Sequence, residues 1–184
     1  MNIIAYGMSN TGMIREINED NFLISGFNCE SSDGYAILAD GMGGHNAGEI
    51  ASGTAVSVIG NELKKITQKT ESEKIIYDIL GSIDYANKKI FDEAQSDLSK
   101  AGMGSTLVVA YIKENKLYIA NIGDSRAYLK NGNDFSKITV DHSIVQELLN
   151  KGSITPEEAL VHPDKNIITR ALGTERIVDA DLFQ

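Results

Sequence analysis

Apolar residues follow two different periods along this chain. Near its start, residues 3–8, 21–25 and 35–39 are short β-rich runs, separated by Asn10, Gly12, Asn28, Asp33 and Gly34, residue types that favour turns. The period then lengthens. Ala51, Ala55, Val58, Ile59 and Leu63 recur at helical spacing, as do Ile76, Ile79, Leu80, Ile83, Ala86, Ile90, Ala94 and Leu98. This predicts two amphipathic helices, each with one face for a sheet to cover.

After Gly102 the pattern returns to strands over residues 106–112 and 116–122, joined by Lys113-Glu114-Asn115 as a short hairpin, with a third strand over 126–130. Residues 143–151 read as a helix closed by Gly152. Thr155-Pro156-Glu157-Glu158 is a capping box with proline at the first helical position, and residues 177–183 begin a further strand. Strands, helices, strands, helices is an α+β order with largely antiparallel sheets, not alternating βαβ. No repeat, low-complexity tract or linker interrupts it, so one domain over residues 1–184 is expected.

At 184 residues folding buries roughly two-thirds of the unfolded chain's surface, enough for a core without staples. Cys29 is the sole cysteine, so no intrachain disulfide forms, and a lone thiol suits a reducing compartment. The start lacks a basic stretch followed by a long apolar run, and nowhere do about 18 apolar residues follow one another. A soluble, cytoplasmic protein with no membrane contact is the expectation. The formal charge of -9 argues against nucleic acid, whose phosphates need clustered Lys and Arg. An acidic chain can instead hold divalent cations, provided its carboxylates converge.

The stretch Asp40-Gly41-Met42-Gly43-Gly44-His45 follows directly on an apolar run. A carboxylate at a strand's end, followed by glycines that admit close backbone approach, can ligate a metal through a side-chain oxygen and a nearby carbonyl. Taken alone, a glycine-rich turn is only a turn. Upstream, however, lies Arg15-Glu16-Ile17-Asn18-Glu19-Asp20, and downstream lie Gly104-Ser105-Thr106 and Gly123-Asp124-Ser125-Arg126. Each acid falls at a strand-to-loop junction, where a rigid scaffold presents functional groups.

In this order and spacing, R-x-x-x-E-D, D-G-M-G-G-H, G-S-T and G-D-S-R resemble the successive signatures of bacterial PPM-family (type 2C) metal-dependent serine/threonine protein phosphatases. The resemblance continues through Asp141-His142-Ser143, the run from Gly152 to Ala159, and Ile168-Thr169-Arg170-Ala171-Leu172-Gly173. It implies an α/β/β/α sandwich of two mostly antiparallel sheets flanked by helices. It also implies two Mn²⁺ or Mg²⁺ ions, with a third position described in bacterial members. Asp40 would bridge the two ions, Glu19 and the Gly41 carbonyl would complete one of them, Asp20 would orient water from behind, and Asp124 would serve the third. Arg15 would grip the substrate phosphate while a water activated between two metals attacks phosphoserine or phosphothreonine monoesters. Phosphoproteins and a cognate serine/threonine kinase are the implied partners, and a monomer is the implied state.

Read without the resemblance, Arg15 makes a surface salt bridge to Glu19, and Asp124 stabilises a turn. Met42 stands where some members carry histidine, so no general-acid role passes to His45, and a metal-bound water would supply that proton instead. His142 and His162 read as capping, loop or core residues.

Complete members continue to Ser-Asp-Gly and Asp-Asn, whose aspartates finish the first metal's ligands. After Gly173 this chain offers Asp179 and Asp181, neither followed by Gly or Asn. The expectation is therefore a C-terminally incomplete domain lacking the last strands. It should bind Mn²⁺ more weakly and turn over more slowly than a completed form. The alternative, from another class, is a weak or inactive remnant that binds phosphoproteins or partners through Arg15 and the surviving loops. A nucleotide-binding function is disfavoured, because no G-x-x-x-x-G-K-[ST] loop is present.

Overall fold

The computed structural model describes residues 3–27, 33–44, 47–67 and 69–184; Cys29 and His45 lie outside them. Strands β1 (Asp20–Ser25), β2 (Gly34–Met42), β3 (Gly104–Ser105), β4 (Leu107–Lys113) and β5 (Lys116–Ile122) belong to a six-stranded antiparallel sheet. β6 (Tyr128–Asn131) and β7 (Asp134–Lys137) form a separate two-stranded sheet, and β8 (Asp181–Phe183) returns to the first. The large sheet runs β1-β2-β4-β5-β8, with β3 added at the end of β2. Helices α1 (Ala47–Leu63), α2 (Ser72–Ser96), α3 (Ile144–Asn150) and α4 (Pro156–Val161) complete the α+β architecture.

Alternation along β2 sends Tyr35, Ile37 and Ala39 into the core, while Leu38 stays exposed on the opposite face, as a period of two requires. Ala51, Ala55, Ile59 and Leu63 of α1 meet this inner face, and Ile75, Ile79, Ile83, Ala86, Ile90 and Ala94 of α2 close the same cluster. Ile79 is fully buried there. Ile79→Ala should therefore lower stability by about 2–4 kcal/mol, transfer and cavity together. A thermal scan should show the midpoint fall by roughly 5–15 °C.

The expected helix running to Leu98 ends earlier. Asp97 accepts a hydrogen bond from the Ser99 amide at 2.9 Å and caps a separate 3₁₀ turn, Leu98–Lys100. That local bond competes with continuing the helix, and Leu98 is left exposed. The β4–β5 hairpin forms as expected, with Glu114 (φ 50) and Asn115 (φ 65) both left-handed, the geometry that matches strand twist in a two-residue turn. Thr155 and Glu158 make the reciprocal capping box, and Ser143 caps α3 by accepting from the Gln146 amide.

Residues 3–8 do not form a strand, contrary to their composition: among the described residues no strand pairs with them. β-propensity alone holds no strand whose N–H and C=O groups lack a neighbour. Ile4, Tyr6 and Met8 are exposed, and Gly7 packs against the Phe22 ring. The strand expected over 126–130 is β6, starting at Tyr128. Its partner β7 was not legible, being short, half-charged and exposed throughout.

Candidate metal centre

Antiparallel pairing of β1 with β2 sets Asp20 opposite Asp40, and the Gly41 amide donates to the Glu19 carbonyl at 3.0 Å. Register alone thus gathers Glu19, Asp20, Asp40 and Gly41 at one end of the sheet. The main chain of Asp40 is fixed from the other side. Its N–H donates to Thr106 Oγ1 at 3.0 Å, and its carbonyl accepts from the Thr106 amide at 2.9 Å and from Ser105 Oγ at 3.1 Å. Thr106 Oγ1 also lies 2.7 Å from Ser125 Oγ, so one hydroxyl ties the Asp40 strand end to the turn that carries Asp124.

Two glycines allow α1 to approach this strand end. A Cβ on Gly41 would overlap the Gly48 carbonyl, and a Cβ on Gly48 would overlap Glu19 Oε1. The buried hydroxyl of Ser52 donates to the Glu19 carbonyl at 2.6 Å and accepts from Asn21 Nδ2 at 2.9 Å. These contacts press the Glu19 carboxylate against the first turn of α1. Gly48→Ala should displace it and weaken divalent-cation affinity by about 10-fold, the size expected when a group supporting a metal ligand is disturbed. A calorimetric Mn²⁺ titration measures this directly, and unchanged affinity would show that the Glu19 position is not sensitive to that contact.

Arg15, Glu19, Asp40, Gly41, Thr106 and Asp124 line one cleft of about 370 Å³, together with Asn166 and Ile168. Asp20 lies opposite Asp40 in the β1–β2 pair. Burial pushes the Asp40 carboxyl up to about 6; the negative charges of Asp20 and Asp124 push the same way, and the Arg15 guanidinium pulls against them. Arg15 is 65% exposed, and its Nη1 lies 3.9 Å from Glu19 Oε2, so the pair exists, though not on a helix. Glu19 Oε1 is buried without a partner.

An unpaired buried carboxylate oxygen beside mutually repelling carboxyls is the environment that a divalent cation relieves. Among the described residues, no three acidic, histidine or cysteine side chains close into a ready-made cage. The donors on offer are carboxylates, the Gly41 carbonyl and water, an all-oxygen set that suits Mg²⁺ or Mn²⁺. The residues therefore fit the group. His142 and His162 act as acceptors for main-chain amides: His142 Nδ1 takes the Gly123 N–H at 3.0 Å, and His162 Nδ1 takes the Asp164 N–H at 3.1 Å.

The sequence pattern of the family described as protein phosphatase 2C matches residues 4–148. The serine/threonine phosphatase stp of Listeria welshimeri is 43% identical over 172 residues, which cover 94% of this chain and 68% of that protein. The crystal structure of the serine/threonine phosphatase Stp1 from Staphylococcus aureus superposes with a TM-score of 0.87 at 39% identity, covering 96% of this chain and 68% of that one. The catalytic domain of the serine/threonine protein phosphatase PstP, solved in complex with two manganese ions, superposes with a TM-score of 0.74 at 30% identity, covering 94% of this chain and 68% of that one.

Proposed function

This chain belongs to the protein phosphatase 2C family, and from that premise we propose that its cleft hydrolyses phosphoserine and phosphothreonine monoesters in proteins. The observation that carries the reading is the orphaned, buried Oε1 of Glu19 beside an Asp40 carboxyl driven to about 6 by burial and by its acidic neighbours. Asp40, the Gly41 carbonyl and Glu19 would hold one Mn²⁺ or Mg²⁺. Asp40 would share a second ion, and Asp124 would serve a further position. When bound, the ions supply an acidified water and neutralise charge on the phosphoryl group.

The chain's own groups do the rest. Arg15, an exposed residue of the cleft lining, donates paired hydrogen bonds to phosphate oxygens and sets the ester in line. Asp20, opposite Asp40 in the β1–β2 pair, would accept a hydrogen bond from the attacking water and orient it. Thr106 keeps Asp40 and the Asp124 turn at a fixed separation through its shared hydroxyl. With Met42 at the position after Gly41, no side chain there offers a proton to the departing hydroxyl, and a water held at the metal site would supply it.

Proteins phosphorylated by a serine/threonine kinase are the proposed substrates, and the cytoplasm is the proposed location. Among the described residues no helix is long and apolar enough to cross a membrane. Phosphothreonine-peptide turnover by residues 1–184 should appear with Mn²⁺ and vanish with a chelator. Turnover indifferent to the chelator would overturn the reading.

A further inference from the structure

The segment Asp141-His142-Ser143 is buried and supplies no wall of the cleft, yet it grips the turn that presents Asp124. Asp141 receives Arg126 through Nε at 2.9 Å and Nη2 at 2.6 Å, together with Lys137 Nζ at 3.1 Å. Next to it, His142 holds Gly123 from two sides. Its Nδ1 accepts the Gly123 N–H at 3.0 Å, and its own N–H donates to the Gly123 carbonyl at 2.9 Å. Gly123 has φ +93, and a Cβ there would press into Thr106, so the glycine is wedged between Thr106 and the imidazole.

Because Nδ1 accepts, the proton of the neutral ring sits on Nε2, which faces Asp181 Oδ2 at 3.2 Å and also has the Arg170 Nη1 donor at 3.1 Å. Asp181 is fixed in turn. Its Oδ1 accepts from Arg170 Nη1 at 2.9 Å, and β8 pairs it with Asn121 of β5. A continuous path therefore runs from Arg170 through Asp181 and the imidazole to the peptide that precedes Asp124.

We propose that His142 is a positioning residue for Asp124: its Nδ1–Gly123 bond, held in the correct tautomer by Asp181, fixes the turn that aims the Asp124 carboxylate into the cleft. This rests on the reading of Asp124 as a metal ligand. A residue that merely caps α3 or fills the core would alter stability alone. A residue that aims a ligand must alter affinity at that ligand's ion and nowhere else, as groups behind metal ligands do.

The test compares His142→Asn, whose side-chain oxygen reaches the Nδ1 position, with His142→Gln, whose amide reaches only the Nε2 position. Exchange of the Gly123 amide with deuterium is followed by NMR in the metal-free chain, and Mn²⁺ binding by calorimetry and electron paramagnetic resonance. Expected for His142→Gln is Gly123 exchange faster by about 10-fold or more. Affinity of the ion that depends on Asp124 should fall by about 10- to 100-fold, the range for lost support behind a ligand. His142→Asn should stay within about 3-fold of the parent in both readouts. In an Asp124→Asn background, His142→Gln should cause no further loss of Mn²⁺ affinity, since the two changes act on one ion.

Equal losses with and without Asp124 would overturn the proposal, and so would Gly123 exchanging as an open amide in the parent chain, a measurement that needs no variant to fold. If Asp124→Asn by itself leaves every Mn²⁺ ion bound as before, the ligand reading of Asp124 fails instead, whatever Gly123 does.

Discussion

Asp40→Asn is expected to reduce Mn²⁺-dependent phosphopeptide turnover by about 10³-fold, the upper end for losing one principal electrostatic contributor to a transition state. The same change should stabilise the metal-free protein at neutral pH. Burial and the charges of Asp20 and Asp124 raise the Asp40 carboxyl from its ordinary 3.8 to about 6. Between those values the folded chain holds a proton that the unfolded chain releases, so stability falls as pH rises through the window and the whole penalty is present above about 6. Asp40 is only half-buried, and solvent screening reduces the penalty to about 1 kcal/mol.

Asparagine carries no charge and escapes it. Thermal scans in chelator should therefore show Asp40→Asn melting about 2–4 °C above the parent at pH 7.5, with the gap closing toward pH 4. A variant that kept its Mn²⁺-dependent turnover, or that melted lower than the parent at pH 7.5, would contradict the assignment of Asp40.

Arg15→Ala should lower kcat/KM by about 10²-fold, chiefly through KM, since two charge-assisted hydrogen bonds to phosphate are worth about 3 kcal/mol together. Its melting temperature should barely change. The pair with Glu19 is 3.9 Å long and Arg15 is 65% exposed, and exposed pairs of that kind contribute little. Arg15→Lys should recover only part of the loss, because an ammonium cannot present the planar fork that two phosphate oxygens accept. A fall in kcat with KM unchanged would place Arg15 in the transition state alone and contradict its role in binding ground-state phosphate.

Much of the scaffold was legible because its elements are local. The helical spacing from Ala51 to Leu63, the β4–β5 hairpin and the Thr155 capping box each depend on residues close together in the chain, and each stands as read. Part of the cleft lining follows from local order, since Asp40 and Gly41 lie in the last residues of β2 and Glu19 directly precedes the paired strand β1, whereas Asp20 does not line the cleft. What the pattern could not show depends on contacts between distant segments. Residues 3–8 have strand composition but no described partner.

The Asp97 cap that separates Leu98 from α2 rests on two side-chain bonds, from the Ser99 amide and hydroxyl, within a run of helical spacing. Gly48 carries no local mark of its packing against the Glu19 carboxylate, and the hold of His142 on Gly123 spans 19 residues. The motif G-S-T contains Thr106, yet only the packed structure joins its hydroxyl to both Asp40 and Ser125.

The end of β2 around Asp40 and Gly41 should hold a divalent cation against Glu19 and the Gly41 carbonyl. Crystals of residues 1–184 grown with Mn²⁺ and measured on both sides of the manganese absorption edge test it without recourse to activity. The expected result is an anomalous peak bonded to an Asp40 carboxylate oxygen at about 2.2 Å, on the side that faces Gly41 and Glu19. Manganese bound only elsewhere, or an empty cleft at millimolar Mn²⁺ and pH 7.5, would contradict it.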